Sequence, residues 1–474
     1  MSTPVPTIAG SDAEREKDLN ARIDRIPSFT PRMRWLILLL ALMFGFDLVD
    51  IQTFGLVAPA LQSEWGIGTD QVGVLQSMVF IGGLIVALVA GLISDRVGRR
   101  PVAIGAVLLF SLGSLASAFA PTPEVLGALR VVTGIGITAG TTAILVLASE
   151  LFPKALRGRS VAVITLISVL ITPILTIVAN MAVPAGMWHV VFLFGSLGLL
   201  VVIPAFWLLP ESPRWQASRG QHERADRTVR FFEDQYTKRG KRTLPAPVVL
   251  DEVAPAEATS VWTIFTPRFL FRTVVATLIF VGLAVVNTGL NSWFPVILVQ
   301  RGYALEDIYS WIVVISLGGL AGTFLATFVI ELFERKWLVF AVAAVTGIGY
   351  LVLGFVDTVP VILGVGLIAV IASSILSTAV FTYTPEIFDT DVRGKGTGFA
   401  QAVSRVVTIA NAVIIGAILL TSTEGVFVYL AVVTGLICVM AAIGPRVGVR
   451  EARRARRAGK AEQKQLKTEA AAGK

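Results

Sequence analysis

Cysteine and histidine are almost absent from this sequence. Its 474 residues include one cysteine, Cys438, and two histidines, His189 and His222. A single cysteine excludes an intramolecular disulfide. With so few residues of either type, the chain also lacks the ligands of the usual zinc sites and the residues of a Cys–His nucleophile pair. The sequence therefore argues against an enzyme, and we expect no metal and no organic cofactor.

Charged residues are scarce as well. They make up 15% of the chain, whereas hydrophobic residues make up 55% and the mean hydropathy is +0.77. Soluble domains carry about 25% charged residues, so a water-soluble fold is excluded. Residues 1–30 are polar and lack the short apolar core and cleavage site of a secretory signal. We therefore expect the N-terminus to stay in the cytoplasm.

Long apolar runs are abundant instead. Each extends over about twenty residues, the length that a helix needs to cross a membrane core of about 30 Å. Their continuity argues against membrane strands, which alternate with a period of two. The sequence predicts an all-α polytopic membrane protein with twelve transmembrane helices, which begin near Trp35, Asp70, Pro101, Val125, Ser160, Trp188, Thr273, Ile308, Trp337, Thr358, Gly396 and Val426.

The spacing of these runs divides the chain into five predicted segments. Two six-helix bundles, 35–209 and 273–445, are separated by a charged insert of short surface helices, 210–272. A polar segment, 1–34, precedes the first bundle, and a basic tail, 446–474, follows the second.

Basic residues occur in every second loop, and the alternate loops contain only Arg301. Because lysine and arginine concentrate in cytoplasmic loops, we expect the insert and both termini to be cytoplasmic, in a multi-pass protein of the plasma (inner) membrane. The net charge of +8 then reflects topology. The lipid bilayer is an expected partner, and we expect the basic tail to be solvated or to face lipid headgroups and not to bind nucleic acid.

The chain repeats itself. "ELFPKALRGRS" begins at Glu150 and "EIFDTDVRGKG" begins at Glu386, 236 positions later, with Glu, Phe, Arg and Gly at the same spacing. This similarity predicts two parallel repeats that rock about a central site. Glu150, Arg157, Glu386 and Arg393 are expected to form a charge network that responds to conformation.

Three motifs resemble those of the major facilitator superfamily. They are "GLISDRVGRRP" at residues 91–101, "RVVTGIGITAG" from Arg130 and "PESPRW" from Pro210. The resemblance implies the major facilitator fold. It also implies a latch in which Asp95 faces the start of the eleventh helix, where a helix N-terminus attracts a carboxylate. Gly91 and Gly98 would permit close approach and a tight turn, with Arg96 and Arg99 beside them. Alternatively, these charges only fix the topology.

Two aspartates, Asp47 and Asp50, lie inside the first apolar run. Each costs about 2.5–3.5 kcal/mol at the bilayer centre. At 1.5 Å per residue they lie about 20 and 24 Å from the start of the helix, at a depth comparable to that of Arg130 and Arg405. Arginine stays charged and can therefore bind an anion throughout the transport cycle, whereas neighbouring carboxylates can exchange a proton. A purely structural set of ion pairs is the alternative.

Polar and aromatic side chains suggest the rest of a cavity. Thr172 lies in a stripe with Ser168 and Thr176, and Asn287 and Asn291 share one face of the seventh helix. Phe381, with Trp293 and Tyr383, is a candidate for stacking on a ring. Each of these residues could instead be packing between helices.

The first helix resembles one particular family. "DLVD" followed by "GLVAPAL", together with "GLNSWFPVILVQRGY" on the seventh helix, is similar to the aromatic acid:proton symporters. The resemblance implies that Asp47, Asp50, Arg130, Glu150, Arg393 and Arg405 occupy positions that this family needs, with His189 as a possible proton relay or an interfacial residue. Leu48 and Val49 depart from the family, which has a glycine and an aromatic residue there.

Rival functions differ in identifiable features. A sugar porter would have paired glutamines on the seventh helix, and drug antiporters have a glycine-rich fifth helix; this sequence has neither. A sugar or nicotinate transporter and a transporter-like sensor remain alternatives. The expected function is proton-coupled import of a small organic anion, an aromatic carboxylate such as a benzoate or hydroxybenzoate. We expect a monomer that works by alternating access, with the proton gradient as the energy source.

Overall fold

The computed structural model describes residues 12–87, 89–240, 243–247, 260–389 and 391–446. Within these residues the regular structure is helical and no β-strand occurs. The predicted tail from residue 446 lies almost wholly outside the described residues, as do residues 1–11 of the N-terminal segment and 248–259 of the insert.

The chain divides into two compact units, Met1–Pro255 and Ala256–Lys474. The first unit contains α1 Asp12–Asp24, α2 Pro31–Trp65, α3 Thr69–Ala87, α4 Ala90–Val97, α5 Arg99–Ser117, α6 Pro123–Leu151, α7 Lys154–Val169, α8 Ile171–Ala182, α9 His189–Ser196, α10 Gly198–Leu208, α11 Pro213–Ser218 and α12 His222–Gly240. The second contains a 3₁₀ helix Val261–Phe265, α13 Pro267–Gln300, α14 Leu305–Leu332, α15 Arg335–Phe355, α16 Val359–Glu386, α17 Arg393–Leu419 and α18 Thr423–Ile443.

Twelve segments of the described chain are long and apolar enough to cross a membrane, six in each unit. They are α2, α3, α5, α6, α7 with α8, α9 with α10, and α13 to α18. The prediction of an all-α protein with twelve spans is confirmed. The segment boundaries drawn from the sequence stay predictions.

Local chemistry sets the helix ends near the site. At the start of α2 the Thr30 hydroxyl accepts from the Met33 amide, and Pro31 occupies the first turn. Thr122 and Pro123 begin α6 in the same way. Both are favoured helix starts because the hydroxyl satisfies a free N–H and proline has none to satisfy.

Glycine brings α3 and α6 close together. A side chain on Gly134 would collide with the backbone of Val79. Small residues at such crossings allow helices to approach closely where no hydrophobic force draws them together. This contact helps to hold α6, which supplies Arg130, in position.

The N-terminal segment is helical, which its polar composition did not predict. On α1, Leu19 and Ile23 pack against Ala225 and Val229 of α12. Arg22 donates to Asp226 at 2.7 Å and to Glu233 at 2.8 Å. The segment is thus attached to the insert by apolar and charged contacts.

In the second unit, Asn411 of α17 links three helices. Its amide donates to Thr288 Oγ1 at 2.8 Å and its oxygen accepts from Tyr429 at 3.0 Å. Asp389, in the loop between α16 and α17, pairs with Arg272 at 2.9 Å and with Arg268. The Arg272 hydrogen bond is the main reason that the pKa of Asp389 lies below its usual value.

Candidate functional site

Asp50 of α2 and Arg130 of α6 form a fully buried ion pair. Arg130 Nη1 lies 2.8 Å from Asp50 Oδ2, and Nη2 donates to the Asp50 carbonyl at 3.0 Å. Both side chains are 0% exposed, and the Phe192 ring of α9 lies 5.9 Å from the guanidinium carbon. Removing one partner of such a pair costs about 3–5 kcal/mol, because the other charge is then buried without compensation.

The second carboxylate oxygen of Asp50 is buried without a hydrogen-bond partner among the described residues. It lies beside Gly195 of α9, where the Cβ of any larger residue would come within 3.1 Å of it. The neighbouring Ser114 hydroxyl donates elsewhere, to the Phe192 carbonyl at 3.0 Å. A buried acceptor without a donor costs about 1–3 kcal/mol, a cost that the ion pair with Arg130 has to offset.

Asp47 also faces α6, where its partner is a hydroxyl. Its Oδ2 accepts from the Thr141 hydroxyl, and its side chain is 0% exposed. Thr141 was not predicted from the sequence. Its position could have indicated it, because Thr141 follows Arg130 by eleven residues, which is close to three helical turns and places both residues on the same helix face. The two acids thus have different partners on α6, an arginine for Asp50 and a threonine for Asp47.

The proposed anion-binding residues of the second unit lie on α13, α16 and α17. Asn287 is half-buried. Its Nδ2 donates to Ser377 Oγ at 3.2 Å, and its Oδ1 accepts from Ser373 Oγ at 3.2 Å. Asn291 is exposed one turn later, and Arg405 is half-buried. In the first unit, Thr172 is half-buried on α8.

The three aromatic candidates differ in exposure. Phe381 is 56% exposed and contacts the Phe280 ring edge-on, with centroids 5.2 Å apart. Trp293 is 2% exposed, and Tyr383 is buried with its hydroxyl donating to the Pro445 carbonyl at 2.9 Å. Of these three, only Phe381 has an exposed ring. Trp293 and Tyr383 are packed inside the unit, in agreement with the alternative that they serve helix packing.

His189 lies at the start of α9, beside aromatic residues. Its ring contacts Trp188 edge-on, with centroids 5.9 Å apart, and Trp188 donates to Glu64. Trp65 also contacts Trp188. Tryptophan-rich clusters are typical of membrane interfaces, so this setting suits the interfacial interpretation of His189 better than a relay.

Arg99, at the loop between the second and third spans, forms ion pairs with two acidic residues. Its guanidinium lies 2.7 Å from Asp95 Oδ1 and 3.1 Å from Glu150 Oε2. In the second unit Arg335 lies 2.7 Å from Glu386. Arg335 and Glu386 each follow their first-unit counterparts, Arg99 and Glu150, by 236 positions. The second-unit loop therefore keeps its ion pair, although its sequence "ELFERKW" differs widely from the first-unit motif.

The remaining members of the predicted charge network are not in those pairs. Arg96 and Arg393 are exposed, and Arg157 Nε is buried without a hydrogen-bond partner in the described chain. The Asp95 side chain is 61% exposed. The latch to the eleventh helix stays a prediction.

Glu211 of the "PESPRW" motif supports the turn between α4 and α5. Its Oε1 accepts from the Arg99 and Arg100 amides at 3.0 and 3.1 Å. Gly98 has a φ of +116°, and a side chain there would collide with the Glu211 carboxylate. A Cβ at Gly91 would meet open space within 4 Å, and its expected role in close approach stays a prediction. The contact between the two motifs was not predicted from the sequence.

Comparison with known proteins identifies the family. A family model described as "Sugar (and other) transporter" matches residues 36–445. The chain belongs to this family of the major facilitator superfamily. It is therefore a transporter and a multi-pass membrane protein, not an enzyme.

Individual relatives and structures agree with this assignment. The niacin transporter NiaP of Acinetobacter baylyi is 27% identical over 400 residues, covering 84% of this chain and 90% of that protein. The gallate transporter of Pseudomonas putida is 28% identical over 391 residues, covering 81% and 86%. An inward open structure of the xylose transporter XylE from E. coli superposes with a TM-score of 0.70 at 17% identity, covering 88% and 97%. This last likeness concerns the fold alone and confirms the predicted major facilitator fold.

Proposed function

We propose that this transporter imports a small aromatic carboxylate together with a proton. The observation that carries the proposal is the buried Asp50–Arg130 pair, whose carboxylate keeps one oxygen without a hydrogen-bond donor among the described residues. A pair of this kind has two stable arrangements. Either Asp50 neutralises Arg130, or Asp50 is protonated and Arg130 needs another anion.

These two arrangements couple proton entry to anion entry. Arginine does not release its proton in proteins, so Arg130 remains cationic throughout the cycle. Protonation of Asp50 weakens its hold on Arg130, and a substrate carboxylate can then take its place through parallel N–H···O bonds. A proton and an anion enter together because each alone would leave a buried charge uncompensated. Asp47, held by Thr141, offers a second acid beside the same helix.

The other candidate binding residues are proposed to select the substrate. Arg405 is proposed as a second cation for the carboxylate, Phe381 as a stacking surface, and Thr172, Asn287 and Asn291 as partners for ring substituents. Relatives named for niacin and gallate, which are both aromatic carboxylates, support this substrate class. Nicotinate is the second candidate on the same grounds.

The direction and setting complete the proposal. We propose that the insert and both termini lie in the cytoplasm and that the transporter resides in the inner membrane, an orientation that the alternation of basic loops supports. Import then follows the proton gradient by alternating access, with the monomer as the functional unit.

Uptake into proteoliposomes tests the function. Purified protein is reconstituted with an acidic exterior, and accumulation of labelled benzoate, 4-hydroxybenzoate, gallate, nicotinate and xylose is measured. We expect at least one aromatic acid to accumulate against its gradient, and a protonophore to abolish this accumulation. Accumulation of xylose alone would favour a sugar porter, and binding without counterflow of labelled substrate would favour a sensor.

A further inference from the structure

A basic cavity lies in the first unit where two membrane spans meet the insert. Its volume is about 270 Å³, and its walls come from the start of α2, the end of α10 and one face of α12. Arg32, Trp207, Arg227 and Phe231 are among the residues that line it. None of these features contributes to the transport site described above.

The charge of the cavity is positive. It is lined by two arginines, Arg32 and Arg227, and none of the described residues that line it is acidic. Arg32 is held in place because its Nη2 donates to the Leu208 carbonyl at 2.7 Å and its guanidinium carbon lies 5.9 Å from the centre of the Phe231 ring. Arg227 is exposed, and its Nε donates to the Glu223 carbonyl at 3.4 Å. Its terminal N–H groups and the other guanidinium N–H groups of Arg32 suit a phosphate group, whose oxygens can accept several parallel N–H bonds.

The cavity also lies at the boundary of the apolar spans. The first span begins at Pro31 and the sixth ends at Leu208. Trp35 and Trp207 flank this level and are 65% and 78% exposed. Because tryptophan concentrates where a membrane meets water, the cavity is placed at the depth of lipid headgroups.

We infer that this cavity binds the headgroup phosphate of an anionic glycerophospholipid. A zwitterionic lipid supplies the same phosphate, but its ammonium would find no carboxylate among the described lining residues. An anionic headgroup carries no such group. The bound lipid would join α2, α10 and α12, and so fasten the insert to the first bundle. The inference is independent of which substrate is transported.

Thermal unfolding with defined lipids tests the inference. Purified full-length protein in mild detergent is titrated with dioleoylphosphatidylglycerol, and the rise in melting temperature gives an apparent affinity. Arg227→Gln should weaken this affinity about fivefold, as expected for one basic residue near a lipid phosphate, and Arg32→Gln should weaken it by at least as much. Arg227→Lys should retain most of the effect of the charge.

Matched controls remove the same charge elsewhere. Arg34→Gln on α2 and Arg230→Gln on α12 change arginines that do not line the cavity, and they should leave the affinity within twofold of the unaltered protein. Dioleoylphosphatidylcholine and free glycerol phosphate serve as further probes. Equal stabilisation by phosphatidylcholine, or by glycerol phosphate, would overturn the assignment to an anionic lipid, as would equal losses in the control and cavity variants. Arg227→Gln, which alters an exposed side chain, keeps the test decisive if Arg32→Gln fails to fold.

Discussion

Asp47 and Asp50 share one helix face but differ in what holds them. Asp50 is paired with the charged Arg130, whereas Asp47 accepts a hydrogen bond from the neutral Thr141 hydroxyl. A carboxylate that exchanges a proton must be stable both with and without its charge. We take Asp50 as the first candidate, because a substrate carboxylate can replace it beside Arg130 when its charge is lost.

Asp50→Asn should abolish uphill uptake while exchange of labelled for unlabelled substrate partly survives. Asparagine resembles the protonated acid permanently, so an anion can still bind to Arg130 but no proton can be released and reloaded. Asp47→Asn is measured beside it in the same vesicles. If expression and both transport modes fall together, the pair is structural; if both variants still accumulate substrate, neither aspartate couples the proton.

Thr141→Val should lower uphill uptake several-fold with little effect on exchange. The change removes the hydroxyl that donates to Asp47, and a buried carboxylate that loses a donor is destabilised by about 1–3 kcal/mol. Thr141→Ser retains the hydroxyl and should transport as the unaltered protein does. Equal defects in the two variants would assign Thr141 to packing alone.

Arg405→Lys should weaken binding of aromatic acids more than binding of their neutral amides. A lysine keeps the charge but cannot form two parallel hydrogen bonds with a carboxylate, and we expect a loss of about 1–2 kcal/mol in acid binding. Calorimetric titration with benzoate and benzamide makes the comparison. A loss of the same size for both ligands would contradict a role in holding the carboxylate.

At the scale of elements, the turn between α4 and α5 depends on one glycine and one carboxylate. Gly98→Ala should destabilise the protein by about 1 kcal/mol or more, since alanine is strained at positive φ and its side chain would displace Glu211. Gly91→Ala is the matched control, because the space around Gly91 is open. Melting of both variants in detergent checks the difference, and a larger loss for Gly91→Ala would show that the turn is not the sensitive point.

The membrane spans were predictable because a bilayer imposes a minimum length of apolar helix. The helix α1 was not, since Leu19 and Ile23 become an apolar face only against α12. Thr141 was missed for a related reason. A hydroxyl on a membrane helix is common, and only its tertiary neighbour Asp47 distinguishes it. The pairing of Glu150 with Arg99 likewise needed distances, because Arg99 lies 51 positions before Glu150, whereas the network expected from the sequence grouped Glu150 with Arg157.

For the whole molecule, the internal repeat extends to ion pairs as well as helices. Arg99–Glu150 and Arg335–Glu386 occupy equivalent positions in the two units, 236 residues apart. The surrounding loops have diverged so far that only one of them resembles the superfamily motif. Persistence of the pairs through that divergence suggests that each half needs its own connection between the third and fourth, or ninth and tenth, spans.

Double-mutant cycles should show that both pairs are coupled, the first more strongly. Arg99 contacts two carboxylates, and the exposed fractions of Arg99 and Glu150 are 12% and 20%, against 22% and 30% for Arg335 and Glu386. Screening by water grows with exposure, so we expect a coupling of about 1 kcal/mol for the first pair and less for the second.

Single and double glutamine variants of each pair are compared by their unfolding free energies. Additive effects at Arg99 and Glu150 would mean that their contact contributes nothing to stability. A larger coupling at Arg335 and Glu386 would mean that burial does not set the strength of these pairs, and that the second half carries the tighter connection.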